Sequence, residues 1–185
     1  FGTIGDASTS EGVFWETINA AGVMQVPMVT AIYDDGYGIS VPVELQTTKA
    51  NISEVLKGFQ KNENTNGIDI YTCKGWDYAD LVKTFRNGVA KTRETHIPAV
   101  FHVQELTQPL GHSTSGSHER YKTEERLTWE KEFDCITQMR KWLIETEIAD
   151  PEMLDEIEKS ARKKAKEARE KAWHHFIGTY KAERD

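Results

Sequence analysis

The sequence has little of several features that define large classes of protein. It contains two cysteines in 185 residues, and Cys73 and Cys135 form neither a disulfide scaffold nor a metal-binding spacing. No apolar run approaches the ~20 residues that a membrane-spanning helix needs. Lys and Arg number 23 against 30 Asp and Glu, a formal net charge of −7, whereas nucleic-acid binding favours a basic face. We therefore expect a cytoplasmic protein that binds neither membranes nor nucleic acids.

What the sequence does contain is typical of a folded domain. Hydrophobic residues make up 38% and charged residues 29% of the chain, and its length suits one domain with a buried core. The chain does not begin with Met, and Phe1 to Ile4 already form a strand-like run. We therefore expect the chain to be part of a longer protein.

The first 33 residues have the pattern of a strand–helix–strand unit. Residues 1–4 predict a buried strand, and apolar spacing over 10–24 predicts an amphipathic helix with Ser8 or Ser10 as its N-cap. An apolar, β-branched run over 28–33 predicts a second strand. A unit of this size favours two parallel strands joined by a right-handed crossover.

Strands and helices continue to alternate, which defines the predicted fold class. We expect a short helix at 53–60, strands at 68–74 and 99–105, and a helix at 77–93 between those strands. The pattern predicts an α/β fold, with a mostly parallel sheet flanked by helices.

The composition changes after the last predicted strand. Residues 107–122 are rich in Gly, Ser, Thr and His without an apolar period, which is typical of a long functional loop. Residues 123–148, and the segment that follows Asp150, predict helices. We therefore predict an α/β domain at 1–122, including the loop, and a C-terminal helical region at 123–185.

Acidic residues follow two of the predicted strands. Asp6 comes directly after the first strand, and Asp34 and Asp35 come directly after the second. Ligands of open α/β sheets bind beyond the carboxyl ends of the strands, where these carboxylates would meet. Carboxylate oxygens suit Mg²⁺ or Ca²⁺, and amides at the start of the next helix suit phosphate. The pattern predicts a metal-bridged phosphate ligand; the alternative is that each aspartate is an ordinary turn or cap residue.

Three groups of residues, in this order along the chain, resemble the motifs of a known family. They resemble the thiamine diphosphate motif, the Asp-Gly-x-Asp turn and the Gly-His-Ser active-site loop of the 2-oxo acid dehydrogenases. Over residues 1–180 the chain is similar to the later part of the α subunit, or α domain, of the first, decarboxylating component, of branched-chain (2-oxoisovalerate) or pyruvate type. The residues are Gly5-Asp6-Ala7 with Asp34-Asp35-Gly36-Tyr37-Gly38-Ile39-Ser40, then Gly75-Trp76-Asp77, then Gly111-His112-Ser113.

The resemblance implies a site for thiamine diphosphate and Mg²⁺. Asp6 and Asp35 would ligate Mg²⁺ through their side chains and Tyr37 through its backbone carbonyl, while the amides after Asp6 would face the diphosphate. His112 would be the catalytic residue near the substrate carbonyl, as a proton donor or a stabiliser of the acyl intermediate. The implied cofactor-binding residues are Gly5, Asp6, Ala7, Ser8, Asp35 and Tyr37.

The chain departs from the family pattern at three places. Ala7 replaces the third motif glycine, and Asp34 and Asp35 replace a pair of asparagines. We expect the extra carboxylate to attract Mg²⁺ but to repel the diphosphate. Gln, Pro and Leu at 108–110 replace the basic residues or histidines that often precede the Gly-His-Ser loop, which alters substrate or phosphate contacts.

The resemblance also implies an activity and partners for the intact protein. The expected reaction is decarboxylation of a small 2-oxo acid and acyl transfer to a lipoyl-bearing acyltransferase component. A β subunit or fused β domain would supply the glutamate that activates the cofactor, so we expect an oligomer, and no turnover by the isolated chain. Ser113 and Ser115 occupy positions that are phosphorylated in animal relatives, although a loop serine usually has no such role.

Two other functions are compatible with part of the pattern. A transketolase-type thiamine enzyme shares the cofactor motif, but the Gly-His-Ser loop and the helical tail argue against it. A non-catalytic binding or assembly module could retain the fold, and the acidic replacements at Asp34 and Asp35 are compatible with that alternative.

Overall fold

A parallel four-stranded sheet organises the N-terminal part of the protein. The computed structural model describes residues 1–112 and 117–184. The strands in the described ranges are β1 (Gly2–Gly5), β2 (Val29–Tyr33), β3 (Tyr37–Gly38), β4 (Val41–Pro42), β5 (Asp69–Lys74) and β6 (Ala99–Gln104). The large sheet has the order β1-β2-β6-β5 with every pair parallel, and β3 and β4 form a separate short hairpin.

Helices pack on both faces of this sheet, which confirms the predicted α/β fold class. The α-helices are α1 (Gly12–Met24), α2 (Ile52–Leu56), α3 (Tyr78–Thr95), α4 (Glu124–Glu132), α5 (Cys135–Glu145) and α6 (Pro151–Arg184). Phe14 and Ile18 of α1 pack with Ile32 of β2 in one buried cluster. On the opposite face, Phe85 of α3 stacks on Phe101 of β6 with ring centroids 4.3 Å apart. Successive strand side chains alternate between the faces, so one strand contributes to both clusters.

The start of α1 differs from the prediction. A 3₁₀ turn at Ala7–Ser10 precedes the helix, whose N-cap is Glu11 and has no capping hydrogen bond from its side chain. The prediction of a serine cap was therefore wrong. By contrast, the Asp77 carboxylate accepts a hydrogen bond from the Asp80 amide at 3.0 Å and caps α3 as predicted.

The single helix predicted over 123–148 is two helices. The Phe133 amide donates to the Trp129 carbonyl and closes α4. The Asp134 carboxylate then accepts from the Thr137 amide at 3.0 Å and starts α5. An aspartate that binds the free amides of a new helix favours a break over a continuous helix.

The chain divides into two compact units, Phe1–Met139 and the residues from Arg140 onward. In the second unit the Asp150 carboxylate accepts from the Met153 amide at 2.7 Å and caps α6. The division into domains at 122/123 stays a prediction, and the first compact unit includes α4 as well as the sheet. Among the described helices, none combines the length and apolar character needed to cross a membrane.

Candidate active site

The carboxyl ends of three strands lie side by side and form the floor of a cleft. Gly5 of β1 is level with Tyr33 of β2, and Tyr33 is level with Val103 of β6. The pairing continues past the strands, since the Asp6 amide donates to the Tyr33 carbonyl at 3.0 Å. The residues that follow the strands therefore share one cleft of about 660 Å³.

The cleft brings together every site residue that the sequence analysis named. All seven line its wall, although they come from three separate stretches of the chain. Asp34 is not among the lining residues, whereas its neighbour Asp35 is. The binding and catalytic roles of these residues stay predictions. The seven are Gly5, Asp6, Ala7, Ser8, Asp35, Tyr37 and His112.

Asp6 lies at the floor of the cleft with an unsatisfied carboxylate oxygen. Its exposure is 5%, and its Oδ2 has no hydrogen-bond partner among the described residues. Burial, together with the negative charges of Asp34 and Asp35, raises the pKa of Asp6 to about 7. A buried acceptor beside like charges is the environment that a bound cation would stabilise.

Asp35 is held at the cleft wall by the turn that follows β2. Its Oδ1 accepts a hydrogen bond from the Tyr37 amide at 3.1 Å, and its backbone carbonyl accepts from Arg126 Nη2 at 2.7 Å. Burial raises the pKa of Asp35, while the Tyr37 amide and the positive charges of Lys122 and Arg126 act in the opposite direction. Its side chain thus has a defined position, and it forms no direct ion pair within residues 1–112 and 117–184.

Asp34 has a different environment from Asp35. Its Oδ2 is 2.7 Å from Nε2 of His102, which is fully buried in β6. Its Oδ1 accepts from the Gly36 amide at 2.8 Å. Burial alone would raise the pKa of Asp34, but the hydrogen bond and charge interaction with His102 hold it below its ordinary value.

A buried charged cluster supports the turn from the other side. Lys122 Nζ and Arg126 Nε lie 2.7 and 2.8 Å from the same oxygen of Glu130. Lys122 also lies over the Tyr37 ring, 4.8 Å from its centroid. The cluster thus connects α4 and the segment before it to the Asp35–Tyr37 turn.

The match between this sequence and known proteins identifies the family. Residues 1–177 match the family described as the dehydrogenase E1 component. The chain belongs to this family. The resemblance inferred from the motifs is thereby confirmed at the level of the family.

Similar proteins are α subunits of dehydrogenase E1 components from several bacteria. The chain is 27% identical over 168 residues to the pyruvate dehydrogenase E1 component subunit alpha of Rickettsia bellii, a match covering 91% of this chain and 49% of that protein. It is 30% identical over 142 residues to 3-methyl-2-oxobutanoate dehydrogenase subunit alpha of Mycobacterium tuberculosis, covering 76% and 36%. It is 26% identical over 162 residues to 2-oxoisovalerate dehydrogenase subunit alpha of Bacillus subtilis, covering 85% and 46%. The chain spans about half the length of the curated relatives it matches.

The E1-family cleft has donor groups that fit a hard cation. Asp6 supplies a buried, unpartnered oxygen, and Asp35 supplies a second carboxylate at the same cleft. A site of two carboxylates and carbonyl or water oxygens suits Mg²⁺. In residues 1–112 and 117–184, no group of three or more His, Cys, Asp or Glu side chains is arranged for a metal ion. Any cation here would therefore depend on backbone, cofactor or water oxygens as well.

Ala7 and Gly38 of this E1-family chain meet at the wall of the cleft. A Cβ added to Gly38 would lie 3.0 Å from the Ala7 Cβ and would overlap the Gln46 side chain. A larger residue at position 38 would require the Gln46 side chain to move and would press on the Ala7 Cβ. A small side chain at position 7 is therefore accommodated, although the family motif has glycine there.

The structure describes His112 but not residues 113–116, which follow it in the loop. His112 is exposed and lines the cleft. Ser113 and Ser115, at which we considered phosphorylation, lie outside the described residues. Gln108, predicted to alter ligand contacts, also lines the cleft, whereas Pro109 lines a separate pocket.

Several residues that support or line the cleft were not predicted from the sequence. His102 lies in a strand that was predicted correctly, and a histidine inside an apolar run was the available signal. Arg126 lies in a helix of mostly exposed charged residues, where nothing in the sequence distinguishes it. Gln46 and Thr107 line the cleft and each has a buried polar atom with no partner among the described residues.

Proposed function

We propose that the cleft binds thiamine diphosphate through Mg²⁺ in the full-length protein and serves the decarboxylation of a small 2-oxo acid. The observation that carries this proposal is the convergence of seven residues, from the thiamine diphosphate motif and the Gly-His-Ser loop, on one cleft at the carboxyl ends of parallel strands. Membership of the dehydrogenase E1 component family supports the same function. The family match also favours this function over the transketolase-type alternative.

Several residues of the chain would contribute to binding of the cation and the cofactor. Asp6 and Asp35 would hold Mg²⁺ through carboxylate oxygens and Tyr37 through its carbonyl, while Gly5, Ala7 and Ser8 line the adjacent wall. The cation would offset the negative charge that Asp6 and Asp35 share with a diphosphate. When bound, thiamine diphosphate supplies the electron sink that decarboxylation requires.

His112 is the residue we propose for proton transfer. It is exposed at the cleft wall, on the loop that follows β6. An imidazole nitrogen can donate or accept a proton, which suits a role beside a substrate carbonyl.

We propose partners that complete the reaction in the full-length protein. A β subunit or fused β domain would contribute to the cofactor site of an oligomer, and a lipoyl-bearing acyltransferase component would accept the acyl group. The matched relatives are named for pyruvate, 3-methyl-2-oxobutanoate and 2-oxoisovalerate, and we propose a substrate of this chemical class. We propose a cytoplasmic location, which agrees with the free thiols of Cys73 and Cys135.

The deciding experiment measures Mg²⁺-dependent thiamine diphosphate affinity of the full-length protein and two variants of Asp35. Asp35→Asn should preserve binding because the amide oxygen can still coordinate Mg²⁺. Asp35→Ala should lose most of it because no oxygen remains at that position. A loss of about tenfold or more is expected for the alanine variant, because changing even a residue that only orients a metal ligand typically costs about 10–100-fold in affinity.

A matched aspartate outside the cleft provides the control. Asp155 on α6 has a side chain that is 71% exposed, and Asp155→Asn should leave cofactor affinity unchanged. Equal affinities for Asp35→Ala and wild type would contradict the metal site. No measurable cofactor binding by the wild-type protein would contradict the proposed function itself.

A further inference from the structure

The two adjacent carboxylates after β2 present an electrostatic problem for a site that binds a diphosphate. Asp34 and Asp35 both lie near the buried Asp6. Three carboxylates directed into one cleft would repel an anionic ligand as well as one another. Asp34 does not itself line the cleft, although its carboxylate is close enough to interact with that of Asp6.

Each oxygen of the Asp34 carboxylate has a hydrogen-bond partner that does not line the cleft. Oδ2 accepts from His102 Nε2 at 2.7 Å, and Oδ1 accepts from the Gly36 amide at 2.8 Å. Its backbone is held as well, since the Asp34 amide donates to the Val103 carbonyl at 3.0 Å and its carbonyl accepts from the Leu106 amide at 2.9 Å. Rotation of Asp34 toward the cleft would break both side-chain hydrogen bonds.

His102 is fixed in turn by a chain of polar contacts that ends at a helix cap. Its Nδ1 lies 3.0 Å from the Ser53 hydroxyl, which donates to Asn51 Oδ1 at 2.8 Å. The same Asn51 oxygen accepts from the Glu54 amide at 3.0 Å and caps α2. The ring therefore has a partner at each nitrogen and cannot turn without losing one of them.

Burying the polar ring of His102 inside the sheet carries a cost in free energy. It is fully buried in the centre of β6, where Phe101 and Val103 on either side are also buried. A polar ring in such a strand is unfavourable unless it is hydrogen-bonded, and an apolar side chain would suit the core. The interaction with Asp34 is what distinguishes the histidine from an apolar residue at this position.

We propose that His102 is a positioning residue for the metal-binding turn. By fixing the Asp34 carboxylate, it orders the turn that brings Asp35 and Tyr37 to the wall of the cleft. The link is short: Asp34 binds the Gly36 amide and Asp35 binds the Tyr37 amide, so the two side chains order consecutive residues of one turn. This inference rests on the proposed function, because it concerns the same cation site.

The experiment compares Mg²⁺ affinity, measured by calorimetry with thiamine diphosphate present, in the full-length protein and its variants. His102→Leu should weaken Mg²⁺ binding by about tenfold or more, the usual effect of losing a residue that orients a ligand. In the Asp34→Asn background the same substitution should cost less, since a neutral amide is less costly to bury without a partner than a carboxylate and can still accept from Gly36. His102→Gln, which keeps a buried N–H donor, should bind closer to wild type.

A second readout separates positioning from a general loss of stability. In His102→Leu, hydrogen exchange should increase at residues 34–38 more than in the remaining strands. Phe101→Leu, a buried substitution on the same strand, should lower the unfolding temperature without changing Mg²⁺ affinity.

Each outcome has a definite meaning. Unchanged Mg²⁺ affinity in folded His102→Leu would overturn the positioning role and leave the proposed function standing. Equal losses in the Asp34 and Asp34→Asn backgrounds would overturn it as well, because His102 would then act independently of Asp34. If wild type binds neither Mg²⁺ nor cofactor, the proposed function fails and this inference with it. If His102→Leu does not fold, exchange in Asp34→Ala, which removes the acceptor of the same interaction, decides: faster exchange confined to 34–38 supports the role, and either unchanged exchange there or a uniform increase overturns it.

Discussion

The pKa of an individual carboxyl group in this protein depends on the environment in which the fold places it. Asp34 and Asp35 are chemically identical neighbours, yet the pKa of Asp34 is lowered by His102 while burial raises that of Asp35. The sequence presents the two as an acidic pair. Their separation into a buried carboxylate and a cleft carboxylate follows from the hydrogen bonds at the end of β2.

At the same scale, His112→Ala in the full-length protein should reduce turnover far more than cofactor binding. The residue is exposed at the cleft wall and is not one of the expected metal ligands. Loss of a general acid or base typically lowers the rate by ~10²–10⁴-fold. Steady-state rates of 2-oxo acid decarboxylation and thiamine diphosphate affinity, measured side by side, test this.

The matched control for that variant is His174→Ala. His174 lies on α6, where it contacts the Glu170 carbonyl, and it does not line the cleft. Its removal should change neither rate nor affinity. Unchanged decarboxylation and acyl transfer in His112→Ala would assign His112 to a structural role.

At the scale of elements, the contact between α3 and the sheet depends on a small residue. Gly88 is buried in α3, and a Cβ added there would lie 2.9 Å from the Tyr71 ring and would overlap the Phe101 ring. Gly88→Ala gains about 1 kcal/mol of helix propensity, but overpacking a core costs about 1–3 kcal/mol. We expect a net loss of stability, measured as a lower urea midpoint of unfolding.

Gly178 provides the comparison in a helix without such a contact. It lies in α6, and a Cβ added there meets no atom of the described residues within 4 Å. Gly178→Ala should therefore increase the stability of its helix by about 0.5–1 kcal/mol, because alanine has the higher helix propensity. A stabilising Gly88→Ala would show that α3 can move away from the sheet at little cost.

At the scale of the whole molecule, the site belongs to the first compact unit. The expected cofactor-binding residues and His112 all lie within Phe1–Met139. The chain spans about half the length of its relatives, and the proposed activity draws on a further chain or domain. The 185-residue chain alone should therefore show no 2-oxo acid turnover with saturating cofactor and Mg²⁺.

The test of that expectation is a decarboxylation assay on the isolated chain beside the full-length protein, with circular dichroism to show that the isolated chain is folded. Turnover close to that of the full-length protein would mean that the chain contains a complete site. Restoration of turnover by adding the β subunit or domain would support the proposed partnership.

The sequence by itself determined the parts of this protein that depend on local pattern. Apolar periodicity and short-range capping are properties of neighbouring residues, so the order of the large-sheet strands and their helices, the parallel first unit and the Asp77 and Asp150 caps were predicted correctly. The β3–β4 hairpin was not predicted, and the expected burial of the first strand was wrong because most residues of β1 are exposed. Motif order sufficed for the family and for residues that line the cleft. The helix break at Asp134 was missed because apolar residues continue across it, and the serine caps were wrong because a 3₁₀ turn occupies those residues.

Only the tertiary structure decided which side chains act together. His102 is separated from Asp34 by 68 residues and Arg126 from Asp35 by 91, and no periodicity in one sequence connects such pairs. Strand pairing brings β2 beside β6 and thereby places the histidine next to the aspartate. The orientation of the Asp34 carboxylate depends on hydrogen bonds that form only in the folded protein, because burying a carboxylate without a partner is energetically unfavourable.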